Sequence, residues 1–154
     1  MTTATRTGIE VTQEEIAAVY PRIASAIADA LGKEAGEVHL SSRLIEDLNA
    51  ESIDFLDIVF RLERAFQVKI PRGQIVENAR GDLPEARFQD KGFVTPVGVE
   101  RLKAYMSEVP ADRFKEPLRT GDIPLLFTVE TFAKLVVRAL HLKSPGPPSE
   151  LQGN

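Results

Sequence analysis

Apolar residues recur at three- and four-residue spacing in four separate stretches of this chain, and no stretch alternates apolar and polar residues for long enough to demand a sheet. Ile16, Val19, Ile23, Ile27, Ala30 and Leu31 form the first stripe. Thr12-Gln13-Glu14-Glu15 ahead of it has the form of a capping box, with Val11 and Ile16 placed as a hydrophobic staple. Gly32 offers a stop, so a helix is predicted from Thr12 to Leu31, with Pro21 expected to disturb its middle. A second helix is predicted from Ser52 to about Phe66, with Phe55, Val59, Leu62 and Phe66 toward the core and Gln67 to Pro71 closing it. Between the two, Val38, Leu40, Leu44 and Leu48 are anchors for a long ordered loop. Thr95-Pro96 opens another helix, with Val99, Leu102, Tyr105 and Met106 on one face. The last helix begins near Thr128 and carries Phe132, Leu135, Val136, Ala139 and Leu140.

The expected class is all-α, with three main helices antiparallel or nearly so around one core. The Gly- and Pro-containing segment 72–122 adds at least one helix, and strands within it stay open. With 154 residues, a single domain is expected, divided into a core of residues 12–71 and 123–141, the inserted 72–122, and a Pro/Gly-rich tail, 144–154, expected to be disordered.

Composition removes several kinds of chemistry. The chain has no cysteine, which excludes disulfides, thiolate metal sites and a cysteine nucleophile. Its two histidines, His39 and His141, lie far apart without a carboxylate motif, so no metal centre and no histidine-based catalytic group is expected. A net charge of −4 disfavours nucleic acid, including a helix-turn-helix reading, and suits basic protein partners. Apolar runs such as Ile123 to Phe127 are far shorter than the roughly 20 residues of a membrane span. The opening ten residues do not resemble a secretory signal, and a cytoplasmic location is expected.

The most informative stretch is Asp47-Leu48-Asn49-Ala50-Glu51-Ser52-Ile53-Asp54, continuing through Leu62-Glu63-Arg64-Ala65-Phe66 to Ile70-Pro71. Ser52 stands where an irregular loop becomes a helix, where its hydroxyl can cap free N–H groups and the helix dipole favours a phosphate. From Leu44 to Phe60 there are five acids, Glu46, Asp47, Glu51, Asp54 and Asp57, and no Lys or Arg. Ile53, Leu56 and Phe60 make a second apolar strip beside the charged face of the same helix. Such a strip edged by acids suits a docking surface, and packing against segment 72–122 would explain it equally well.

This stretch resembles the phosphopantetheine attachment region of acyl carrier proteins, which reads Asp-Leu-Gly-Ala-Asp-Ser-Leu-Asp, then Leu-Glu-x-x-Phe, and ends near an Ile-Pro pair. Phe127-Thr128-Val129 resembles the start of that family's last helix. Residues 72–122 are several times longer than the family's connection, the mark of a specialised member. Two departures stand at Glu51, where the family has aspartate, and at Asn49, where it has a glycine whose positive φ asparagine also tolerates.

The resemblance implies that a phosphopantetheinyl transferase attaches 4'-phosphopantetheine to Ser52, with Glu51 and Asp47 flanking the attachment. The arm would hold an acyl group as a thioester for fatty-acid, lipid or related biosynthesis. Ile53, Asp54, Leu56, Asp57 and Phe60 would then dock acyl-loading and acyl-transfer enzymes that present basic surfaces. The chain would be a monomeric carrier without catalysis of its own and without stable membrane insertion. Ile53, Leu56, Phe60, Phe132 and Leu135 are candidates to line an acyl pocket, or are ordinary core. The insertion would enlarge that pocket or add a docking surface. An aminoacyl or peptidyl carrier and a noncarrier helical adaptor are the alternatives.

Overall fold

The computed structural model describes residues 11–70 and 74–143. The Pro71 stop, the opening ten residues and the tail from Ser144 lie outside them.

Helix α1 spans Gln13–Leu31 with Thr12 as its N-cap. The capping box forms: the Glu15 N–H donates to Thr12 Oγ1 at 3.1 Å and the Thr12 N–H donates to Glu15 Oε1 at 3.0 Å. Gly32 closes the helix at φ 69°, a left-handed conformation open to glycine at little steric cost. The expectation for Pro21 is corrected, because α1 runs through it without a break. Pro21 and Ala17, whose carbonyl Pro21 cannot serve, both lie on the exposed side, where water can supply the missing donor.

The following loop is fastened as its apolar anchors predict, with Val38, Leu44 and Leu48 buried and Leu40 partly so. Its backbone also pairs with the chain entering the last helix: Leu44 N–H donates to Phe127 O, and Val129 N–H to Ser42 O. Helix α2 covers Ser52–Phe66, the predicted span. Its deepest residues are Ile58 and Leu62, with Phe55 and Val59 at the margin of the core. Sequence periodicity put Phe55, Val59, Leu62 and Phe66 toward the core; Leu62 and Phe66 are buried there, and Ile58, to the side of that stripe, was passed over.

In segment 72–122, α3 (Gln74–Arg80) and α4 (Glu85–Phe88) precede a hairpin of β1 (Gln89–Asp90) and β2 (Phe93–Val94), and α5 (Pro96–Tyr105) follows. The strands pair antiparallel, Asp90 opposite Phe93, across Lys91 and Gly92, both at positive φ as a tight primed turn requires. Strands of two residues are too short to leave an alternating pattern. Thr95 caps α5, its Oγ1 accepting the Gly98 N–H at 3.1 Å, as the Thr95-Pro96 pair predicts. Short 3-10 turns, Ala111–Arg113 and Thr120–Leu126, lead to α6, Val129–Lys143, which packs on α1. The buried residues of both helical parts form one contiguous cluster. Apart from the hairpin and two isolated bridges, the regular structure of the described residues is helical, in keeping with the all-α class.

At Gly98, α5 closes on the end of α4 and on β2. A Cβ there would lie 2.4 Å from the Phe88 carbonyl oxygen and 2.7 Å from Val94 Cγ1. Backbone cannot yield as a flexible side chain does, so Gly98→Ala should destabilise the fold by about 1–3 kcal/mol, the usual cost of overpacking. A urea midpoint unchanged from wild type would show that α5 can shift freely.

Candidate functional site

Ser52 is the first residue of α2, and the capping position belongs to Glu51 (φ −106°, ψ 166°). This corrects the reading of Ser52 as a cap. Glu51 donates its N–H to Asp54 Oδ2 at 2.8 Å, and its carbonyl accepts the Asp54 N–H at 2.9 Å. The serine therefore stands one residue inside a helix start that other groups already satisfy. The approach to it is tightly coiled: Asn49 sits at φ 60°, as its replacement of glycine allows, and Ala50 donates its N–H to Leu44 O at 2.9 Å. With Leu48 and Ala50 buried on one side and Ile58 on the other, the loop-to-helix junction is held at both ends. The positive end of a 15-residue helix at a serine suits the phosphodiester of an attached arm.

One turn further along α2, Phe55 meets Phe127 at 5.6 Å and Phe132 at 5.9 Å between ring centroids, and Phe127 meets Phe132 at 5.4 Å. This aromatic triad ties the start of α2 to the start of α6. Sequence reading assigned Phe55 and Phe132 separately and gave Phe127 only to the resemblance, because contact among three distant positions has no periodic signature.

The acids around Ser52 are less free than their sequence suggests. Asp47 Oδ2 accepts the Arg43 backbone N–H at 2.8 Å and Nε at 3.1 Å, and Oδ1 accepts Nη2 at 2.9 Å. The Arg43 guanidinium first, and its backbone N–H second, lower the Asp47 pKa from 3.8 to about 2. Glu46 receives Arg113 Nη2 from the insertion at 2.7 Å, and Asp57 receives Arg61 Nε at 3.1 Å. The stretch without a basic residue is thus bounded by Arg43 and Arg61 and met in space by Arg113. Glu51, Asp54 and Asp57 share the start of α2, whereas Asp47 is turned to its own loop.

A carboxyl whose folded pKa is depressed stabilises the fold above its ordinary pKa and loses that contribution as pH falls through the folded value. Stability should therefore decline between about pH 4 and pH 2 in part through Asp47, and Asp47→Asn should lessen that decline. Urea midpoints of both proteins across that range test this, and parallel curves would show that the Arg43 pairing is not felt.

Ile53 and Phe60 are 72% and 53% exposed, and Leu56 is exposed at their side. Among the described residues, segment 72–122 does not cover this strip, so packing against that segment does not explain it. Nor do these three line an interior acyl pocket, while Phe132 and Leu135 are buried in the core. Among the described residues no group of three or more His, Cys, Asp or Glu could hold a metal ion, and no helix is long and apolar enough to cross a membrane.

The phosphopantetheine attachment site family matches residues 21–80, a span that brackets Ser52. The chain is 37% identical over 59 residues to the acyl carrier protein of Borrelia garinii subsp. bavariensis, covering 38% of this chain and 74% of that protein. Against the acyl carrier protein of Clostridium acetobutylicum it is 36% identical over 53 residues, 34% of this chain and 69% of the relative. The longer match, 31% over 74 residues, is to the acyl carrier protein AcpXL of Brucella melitensis biotype 1, covering 47% of this chain and 80% of the relative. No solved structure matches.

Proposed function

Since this chain belongs to the acyl carrier protein family, whose cofactor is 4'-phosphopantetheine, we propose that Ser52 carries that arm and that the protein ferries acyl groups between separate enzymes. What supports the reading is the family match across residues 21–80, which brackets Ser52, together with the resemblance of Asp47 to Asp54 to the family's attachment stretch and the position of Ser52 as the first residue of α2. The arm supplies the thiol that this cysteine-free chain lacks, and the acyl group rides on it as a thioester. The chain's own residues position. The loop from Arg43 to Ala50 holds Ser52 at a fixed corner, and the dipole of α2 favours the phosphate. Glu51 and Asp54 keep negative charge beside it for a basic transferase. In this reading the chain is a substrate and carrier, not an enzyme, working as a cytoplasmic monomer in fatty-acid, lipid or related biosynthesis. Residues 12–71 and 123–141 form the carrier core of one domain, and residues 72–122 are a specialising insertion, a division supported by the contacts α1 makes with α2 and α6.

The test is the intact mass after incubation with coenzyme A and a broad-specificity phosphopantetheinyl transferase, followed by peptide mapping. A gain of one phosphopantetheinyl group on the peptide containing Ser52 is expected. No gain on folded protein with several transferases would favour a noncarrier adaptor. Modification followed by loading with an amino acid and refusal of acyl groups would make it an aminoacyl carrier.

A further inference from the structure

Helix α2 changes the sign of its charge along its length. Its start carries Glu51, Asp54 and Asp57, and its end carries Arg61 and Arg64. Beside that end, Arg22 of α1 joins Arg61 and Arg64 along a groove between the two helices, with Asp29 the single acid in its lining. Arg22 is held in place, its guanidinium 4.1 Å from the centre of the Phe66 ring and hydrogen-bonded to the Ala65 carbonyl. Arg61 is engaged with Asp57. Arg64 is exposed and has no ion-pair or hydrogen-bond partner among the described residues.

Two of these charges, Asp57 and Arg64, share a face with the open apolar strip, and Asp54 and Arg22 flank it. At 100° per residue, Ile53, Asp57, Phe60 and Arg64 fall within an arc of about 60°, and Arg64 lies about 10 Å along the axis from Asp57. The insertion spends its contacts elsewhere: Arg113 on Glu46, and Glu108 on Lys134 of α6. What faces solvent is an acidic end at Glu51, Ile53 and Phe60 in the middle, and a basic end at Arg64 and Arg22.

We propose that this face docks its enzymes through two opposite charges, a basic group against Asp54 and Asp57 and an acidic group against Arg64 and Arg22, with Ile53 and Phe60 seated between them. The proposal rests on the carrier reading of Ser52 and narrows the expectation that partners present basic surfaces. An enzyme surface that is basic along its whole length would meet like charge at Arg64, which costs affinity and slows encounter. A matched bipolar surface fixes direction along α2 as well as contact, and so presents Ser52 to the enzyme's site in one orientation.

The test uses the full chain, coenzyme A and a phosphopantetheinyl transferase whose carrier-docking face is basic throughout, with kcat/KM measured at low and high salt. Arg64→Glu should raise kcat/KM about tenfold at low salt, with the gain shrinking as salt screens it, and Arg64→Gln should fall between. Replacing by glutamate the transferase's basic side chain nearest Arg64 should reverse the order, so that wild type becomes the better substrate. Equal rates for wild type and Arg64→Glu, or no reversal with the altered transferase, would overturn bipolar docking and leave the carrier reading standing. No mass gain in any variant, each shown folded by circular dichroism, would sink both.

Discussion

Alanine at position 52 is expected to remove the whole phosphopantetheinyl mass gain while leaving the fold as stable as wild type or slightly more so. The two halves of this result have separate causes. A phosphodiester needs a hydroxyl oxygen, and alanine has none. Stability is spared because Ser52 is the first helical residue and not the cap, the start of α2 being satisfied by Glu51 and Asp54. Alanine is also the better helix former, by a few tenths of a kcal/mol. A cap serine replaced by alanine would instead cost about 1 kcal/mol. Intact mass and a urea melt on one preparation read both halves. A residual mass gain would place the arm on another side chain, and a loss near 1 kcal/mol would show that Ser52 helps hold the helix start.

The largest effect on stability should follow Glu108→Ala. Glu108 reaches from the insertion to α6, where Oε1 accepts Lys134 Nζ at 2.8 Å and Oε2 accepts the Thr131 hydroxyl at 2.6 Å. Its side chain is only 2% exposed and that of Lys134 14%, so little solvent is available to take over either charge. Removing Glu108 strands the Lys134 ammonium, left with Ser107 Oγ at 3.2 Å, and leaves the Thr131 hydroxyl only Thr128 Oγ1 at 3.2 Å. Breaking one side of a buried pair costs about 3–5 kcal/mol. At about 2–4 °C per kcal/mol for a chain of this size, the melting temperature should fall by roughly 10 °C. Lys134→Met should cost a similar amount, because it leaves the carboxylate buried. The double variant Glu108→Met with Lys134→Leu should recover most of the loss, since an apolar pair carries no desolvation penalty. If both single variants melt within a degree of wild type, the insertion is not fastened to the carrier core by this pair.

Much of this was legible in the chain before any coordinates. Local chemistry decides helix ends: Thr12 and Glu15 cap α1, Gly32 stops it, and Thr95-Pro96 opens α5, each through atoms a few residues apart. The order of residues from Asp47 to Phe66 was enough to single out Ser52. The limits lay one step beyond local spacing. Pro21 passed through α1 because its side of the helix is wet, and solvent exposure is not written in a local motif. The cap fell on Glu51 because the coil at Asn49 and Ala50 sets where the helix begins.

Other properties came only from distant segments meeting. A window of five acids without a base reads as concentrated negative charge, yet Arg113, far along the chain, pairs with Glu46. Whether Ile53 and Phe60 were core or surface depended on where the insertion folded, and it folded against the loop and α6, leaving them open. The four main helices, the caps at Thr12 and Thr95 and the serine that stands out follow from the order of residues alone, because these rest on contacts within a turn or two of helix. Tertiary structure alone decided which charges are neutralised and which apolar side chains face solvent, because electrostatic pairing and burial follow distance in space and not separation along the chain.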